Sequence, residues 1–168
     1  IKPLEQSTLL PFIAQNNARN KGEGEYASIT LEIETEQSGA IQNYCRQNRI
    51  TVNTLMQGVW SYLLHSYTGS KVINYGVTVS GRPENLAGIE LGVGLYINTI
   101  PIVTQFDPNK SISVWLEQIQ SEQLNSREYQ YTSLQNIQEW SGIKGDMFDS
   151  ILVFENYPVS KVLTEKEW

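Results

Sequence analysis

The groups that could do chemistry are few. The only imidazole is His65 and the only thiol is Cys45. An internal disulfide needs two thiols, and a structural zinc site normally draws four Cys or His ligands, so neither is expected. A lone cysteine fits a reducing compartment. With Ile41 and Tyr44 at helical spacing, Cys45 reads as a small buried hydrophobe. Ser80 has Thr78 and Arg82 where a nucleophile elbow requires glycines, which removes a serine hydrolase. Glu32 and Glu34 alternate with apolar residues and, with Glu36, read as a solvated, edge-protecting row instead of an acid–base pair. Gly92-Val93-Gly94 imitates the start of a dinucleotide fingerprint, but Ile97 stands at the third glycine and a strand follows in place of the phosphate-binding helix, so nucleotide binding is not expected.

One stretch resists a purely structural reading, V-S-G-R-P-E-N-L-A-G-I-E-L-G-V-G-L-Y-I-N-T-I-P from Val79 to Pro101. A polar Asn98-Thr99 pair interrupts an apolar strand, and a buried amide costs free energy unless it finds partners. The glycine-dense loop before it permits close backbone approach.

The elements that position these residues follow from periodicity. Residues 1–24, with Pro3, Pro11, Gly22 and Gly24 around a polar run, read as an extended connector. Tyr26 to Glu34 alternates, Ala27, Ile29, Leu31 and Ile33 on one face, as a half-buried strand does. A short helix is expected over 38–48. Thr51 caps a longer one in which Val52, Leu55, Met56, Val59, Trp60, Leu63, Leu64 and Tyr67 form a wide stripe until Gly69 ends it. At 100° per residue His65 falls opposite that stripe, among Thr54, Gly58 and Ser61, and is expected on a solvated face. Val72–Ser80 and Leu95–Phe106 read as strands covered on both sides. A helix over 112–128 carries Ile112, Trp115, Leu116 and Ile119. Thr132 or Ser133 caps a short helix with Leu134, Ile137 and Trp140, and a strand is expected over 150–157. Such alternation predicts an α/β layered fold, without an internal repeat.

The chain has 168 residues, 40% hydrophobic and 18% charged, enough for one core. Its 12 basic and 18 acidic residues give a net charge of −6, with no basic cluster to meet a nucleic-acid backbone. No apolar run is long enough to span a membrane and no signal peptide opens the chain, so the expectation is a cytoplasmic protein with no nucleic-acid or membrane partner. The start at Ile1 in place of Met suggests excision from a longer polypeptide.

Val79-Ser80-Gly81-Arg82-Pro83 with Gly88-Ile89-Glu90, then Val93-Gly94-Leu95-Tyr96-Ile97-Asn98-Thr99, resembles the condensation domain of nonribosomal peptide synthetases, whose late motif reads Gly, any, Phe, Val, Asn, Thr. Arg127 to Leu134 is similar to that family's next motif, His-Gln-Asp-Tyr-Pro-Phe-Glu. Phe148 to Pro158 is similar to the strand after it in one subgroup. The family's catalytic motif, His-His-x-x-x-Asp-Gly, lies in an N-terminal lobe and has no counterpart here, since His65 is followed by Ser66-Tyr67-Thr68-Gly69-Ser70. Ser133 also replaces the proline of the second motif, and Ile143 to Asp146 does not reproduce Ser-x-Asn-Pro-Leu.

The resemblance implies a chloramphenicol-acetyltransferase-like lobe, a mixed sheet with helices packed on it, incomplete at its C-terminus. Residues 1–24 would connect from an N-terminal lobe, 25–158 would be the C-terminal lobe, and 159–168 a truncated tail. The implied activity is amide formation between a carrier-bound acyl or peptidyl thioester and a carrier-bound aminoacyl amine, in a tunnel between the lobes. The implied partners are the N-terminal lobe, peptidyl carrier domains and a neighbouring adenylation domain. This chain would bind no cofactor or metal itself, the phosphopantetheine arm being carried by the carrier domains. It would hold no catalytic residue and would be inactive alone. Ser80, Arg82, Tyr96 and Asn98 are the residues expected near the tunnel, with Tyr96 and Asn98 sharing one strand face. Two alternatives share the fold: a non-catalytic module that docks carrier domains, and an epimerisation-type relative, whose corresponding strand typically reads Gly-Trp-Phe-Thr.

Overall fold

The computed structural model describes residues 7–11, 25–82, 86 and 88–155. Most expected elements are present with shifted ends. Helix α1 (Thr35–Gln47) starts three residues early, with Glu36 in its first turn and Arg46 in its last, charges that complement the helix dipole. Helix α2 (Val52–Thr68) is bounded as its sequence requires. The Thr51 hydroxyl accepts from the Thr54 amide at 3.0 Å. Gly69, at φ 69°, donates its amide to the His65 carbonyl at 2.8 Å.

Strand β1 (Val72–Val79) is central, antiparallel to β2 (Asn98–Gln105) and parallel to β3 (Ile151–Leu152), a mixed sheet of order β2-β1-β3. Val72 faces Gln105 and Val79 faces Asn98 across the β1–β2 ladder. Gly76 lies opposite Pro101 but sends its amide to the Ser150 carbonyl at 3.0 Å, on the β3 side. The pair is therefore a non-hydrogen-bonded one, and the missing N–H of Pro101 faces the free edge of β2. A Cβ on Gly76 would meet the Phe148 ring, which packs directly over that position.

Helix α3 (Ile112–Ser126) is capped by Ser111, and α4 (Leu134–Ser141) by Ser133, the second of the two residues expected to do so. The last expected turn of α3 is instead a 3-10 turn, Arg127–Tyr129. Two apolar clusters form the core. Cys45, Ile50, Trp115, Leu116 and Ile119 fill the space between α1, α2 and α3, and Leu64, Ile73, Tyr75 and Val77 fill that between α2 and the sheet. Cys45 is buried as expected, and burial pushes its thiol pKa up, away from reactivity.

Several expectations are corrected. Residues 25–34 form no strand: they are exposed, Ile29 almost completely. A strand is held by its neighbour's amides and carbonyls, and among the described residues none flanks this segment. Leu95–Ile97 likewise stand outside β2, because β1 ends at Val79 and the chain leaves the sheet at Gly81, φ 62°, so no strand faces them. On the C-terminal side β3 pairs only at two residues, and the expected strand over 150–157 is otherwise unladdered to 155, with 156–157 outside the described residues.

Of the expected connector, residues 7–11 are described, and they are docked. The Thr8 hydroxyl accepts the Asn74 amide at 2.8 Å, and the Leu10 amide donates to Asp149 at 2.7 Å. The rest of the connector, and the tail 159–168, lie outside the described residues.

The largest correction is the orientation of α2. Its buried residues are Thr54, Gln57, Gly58, Ser61 and Leu64, while Val59, Tyr62, Leu63 and Tyr67 are exposed. His65 is thus half-buried, not solvated. Its Nδ1 lies 2.6 Å from the Ser70 carbonyl oxygen and its ring 4.4 Å from that of Phe106. Small residues allow this close approach: a Cβ on Gly58 would overlap Leu116 of α3.

Candidate functional site

The four residues expected near a tunnel gather at one end of the β1–β2 pair. Ser80, exposed, is the first residue past β1, and Arg82 follows the turn at Gly81. A side chain on Gly81 would overlap the Tyr96 carbonyl oxygen and would sit 3.5 Å from Cβ of Asn98, so the two chain segments run in direct contact there. Only glycine combines that approach with a positive φ.

Arg82 is fixed by its own loop. Its guanidinium donates to the Ile89 carbonyl at 2.7 Å and lies 4.4 Å from the centre of the Tyr96 ring. At that distance the cation is attracted to the ring face. Tyr96 in turn places its hydroxyl over Gly92, where a Cβ would overlap it, and its ring within ordinary contact of Gly94. Tyr96 and Asn98 do not share a strand face, because β2 begins at Asn98.

Asn98 is fully engaged. Its amide nitrogen donates to the carbonyls of Gln130 at 2.8 Å and Thr132 at 2.7 Å, and its oxygen accepts from the Thr99 amide at 2.9 Å. A polar pair inside an apolar strand is explained: the side chain ties β2 to the loop between α3 and α4. That loop lies within the Arg127–Leu134 segment, so two stretches singled out separately in the sequence meet through one side chain. Gln130 and Thr132 contribute backbone carbonyls, which no residue-type pattern announces. Gly81 could have been found, since a glycine between Ser80 and Arg82 ends an apolar strand.

The arrangement holds no group suited to proton transfer near neutral pH. The guanidinium of Arg82 is a donor only, and a serine hydroxyl needs an adjacent base. His65 lies at the other end of β1, roughly 25 Å away for eight residues of strand. Among the described residues no group of His, Cys, Asp and Glu is disposed to hold a metal ion, and no helix is long and apolar enough to cross a membrane. What the site can supply is a rigid surface of backbone and fixed side chains.

Comparison with known proteins identifies the family. The condensation domain family model matches residues 2–167. One of the linear gramicidin synthase polypeptides of Brevibacillus parabrevis is 45% identical over 139 residues, 82% of this chain and 3% of the relative. Chondramide synthase cmdD of Chondromyces crocatus is 38% identical over 153 residues, 90% of this chain and 4% of the relative. The chain belongs to the condensation domain family. It therefore spans only a few per cent of the length of these peptide synthetases.

Two solved structures carry the fold. One is holo-AB3403, a four-domain nonribosomal peptide synthetase bound to AMP and glycine, with TM-score 0.66 and 20% identity over 76% of this chain and 10% of that one. The other is the first condensation domain of the calcium-dependent antibiotic synthetase in complex with a substrate analogue, with TM-score 0.62 and 17% identity over 74% of this chain and 29% of that one. The α/β lobe with a mixed sheet is as the sequence predicted.

Proposed function

We propose that this chain works as the C-terminal lobe of a condensation domain that forms peptide bonds on carrier-bound intermediates. In that reaction the amine nitrogen of an aminoacyl thioester attacks the carbonyl carbon of an acyl or peptidyl thioester. The C–N bond forms, the C–S bond breaks, and the amine's proton leaves through a base while the departing sulfur becomes a thiol. The observation that carries the reading is the convergence of Ser80–Arg82, Tyr96–Asn98 and Gln130–Thr132 at one end of the sheet, in a chain that matches the family from end to end.

The lobe's part is positional. It supplies one wall of the tunnel, with Asn98, Tyr96, Arg82 and Ser80 near it, and leaves the base to a double-His motif in the N-terminal lobe. The partners are that lobe, two peptidyl carrier domains bearing phosphopantetheine thiols, and a neighbouring adenylation domain, all in the cytoplasm. This chain binds no cofactor of its own.

The test is a condensation assay with two loaded carrier domains, read by mass spectrometry of the product. The complete domain is expected to release the amide, and this chain by itself none. Amide formation by this chain alone, or none by a complete domain with both histidines intact, would overturn the proposal.

A further inference from the structure

The Asn98 carboxamide has no hydrogen left to give. An asparagine side chain carries two N–H donors and one acceptor oxygen. Its donors go to main-chain carbonyls, Gln130 at 2.8 Å and Thr132 at 2.7 Å, and its oxygen takes the Thr99 amide at 2.9 Å. A substrate group in search of a donor therefore finds none on Asn98, although the residue stands at the end of the sheet where Gly81 and Tyr96 meet.

What Asn98 holds is a turn. The two carbonyls flank Tyr131, one residue before it and one after. The same turn is closed by the Gln130 amide on the Arg127 carbonyl at 3.3 Å and by the Thr132 amide on the Tyr129 carbonyl at 2.9 Å, and it runs into the Ser133 cap of α4. Gln130 and Thr132 are half-buried, and Tyr131 between them is 65% exposed. An aromatic side chain displayed on a fixed backbone gives up little freedom on contact, and it offers a large apolar face with a hydroxyl at its tip.

We propose that Asn98 is a positioning residue that acts through this turn, and that Tyr131 is the residue by which the lobe reads the side chain of a carrier-bound substrate. The inference rests on the condensation-domain reading. Asparagine suits the task because one side chain gives a hydrogen to each of two carbonyls, whereas aspartate has none to give and serine only one. The chemistry that fits Tyr131 is an apolar or aromatic side chain, whose surface a phenol ring covers and whose place a small side chain leaves empty. Acyl donor and aminoacyl acceptor can both carry such a side chain, so the test treats them separately.

The experiment is a competition assay with the complete condensation domain. In one arm phenylalanyl and alanyl acceptor carriers compete for one acyl donor; in the other, donors bearing the same two side chains compete for one acceptor. Tyr131→Ala is expected to leave the melting temperature unchanged and to lower the phenylalanyl-to-alanyl product ratio by about tenfold in one arm, which names the substrate that Tyr131 reads. Asn98→Ala should move the same ratio in the same direction, and the double variant should move it no further. Unchanged ratios in both arms, effects of the two variants that multiply, or an Asn98→Ala that lowers only the melting temperature would each overturn the proposal.

Amide hydrogen exchange reads the turn without the reaction. At the Thr132 amide, Asn98→Ala should speed exchange by about tenfold, while Tyr131→Ala leaves it unchanged. Asn98→Asp keeps the Thr99 bond but offers the turn no donor, so it should do the same and serves where the alanine variant does not fold. Equal exchange in every variant would show that the turn stands without Asn98, and the positioning role would fall. If the exchange pattern holds and the wild-type domain makes no amide, the condensation reading falls and the positioning of the turn remains.

Discussion

Helices α2 and α3 pack against each other and follow opposite rules. Helix α3 is thinly hydrophobic, with Glu117, Gln118, Gln120, Glu122 and Gln123 among its fifteen residues, and of its expected stripe it buries Trp115, Leu116 and Ile119 while Ile112, in the first turn, is exposed. Helix α2 is rich in large apolar residues and buries Thr54, Gln57, Gly58 and Ser61 with Leu64. Where apolar residues are scarce, only one orientation hides them. In α2 the apolar residues form one wide stripe, yet the opposite face, whose small residues allow the closest approach to α3, is the one buried.

That close side carries its own polar network. The Ser61 hydroxyl donates to the Gln57 carbonyl at 2.7 Å, and the Tyr75 hydroxyl of β1 lies 3.3 Å from both Ser61 Oγ and the Gln57 carbonyl. Most polar groups on this buried face are tolerated because they find partners there, Gln57 Oε1 being the one that finds none among the described residues.

The contrast between the helices can be broken at their contact. Leu116→Ala removes the side chain that fills the space over Gly58, and it should cost about 3 kcal/mol in urea denaturation of the domain. A loss under about 1 kcal/mol would mean that the contact is loose. Gly58→Ala should cost about 1 to 3 kcal/mol by overlap with Leu116, on a helix where alanine is otherwise favoured. Combining the two should recover much of the Gly58→Ala cost, because the truncated Leu116 leaves room for the added methyl. Strict additivity in that double-mutant cycle would show that the two residues do not touch.

Tyr75→Phe tests the polar side of α2 more gently, with an expected loss of about 1 kcal/mol from hydrogen bonds to Ser61 and Gln57. It also carries a pH signature. Burial raises the Tyr75 pKa far above its ordinary 10.0, the Ser61 hydrogen bond opposing this only in part. Below pH of about 10 both the folded and unfolded states keep the proton; above it the unfolded chain loses its proton first, so stability falls as pH rises toward the folded value. That alkaline decline should be shallower in Tyr75→Phe. Identical slopes would show that Tyr75 ionises equally in both states.

The smallest effect is expected on the bare side. Val59→Ser and Leu63→Ser should each stay within about 0.5 kcal/mol, as exposed positions do. A loss of about 2 kcal/mol at Leu63 in a longer polypeptide would identify this stripe as covered there.

The candidate site divides along similar lines. The sequence alone singled out Asn98, since an amide in an apolar strand must find partners, and the glycine loop before it; Arg82 was added by the family resemblance. It did not say that Asn98 would bond the Gln130 and Thr132 carbonyls, because backbone acceptors carry no side-chain signature. It also placed Tyr96 in a strand. That segment's alternation is a strand's, but pairing needs a neighbour, and the same absence of a neighbour leaves 25–34 unpaired despite its regular pattern.

Local chemistry determined the caps at Thr51, Ser111 and Ser133, the stop at Gly69 and the order of the helices. Each depends on residues within a turn or two of one another, so the sequence carries the information where it is used. Tertiary structure decided which face of α2 is buried, where His65 lies, and which strand-patterned segments become strands. Those outcomes depend on what stands opposite, and they come from distant residues: Leu116 across from Gly58, Phe106 against His65, and β1 turning away at Gly81 before Leu95–Ile97 could pair with it.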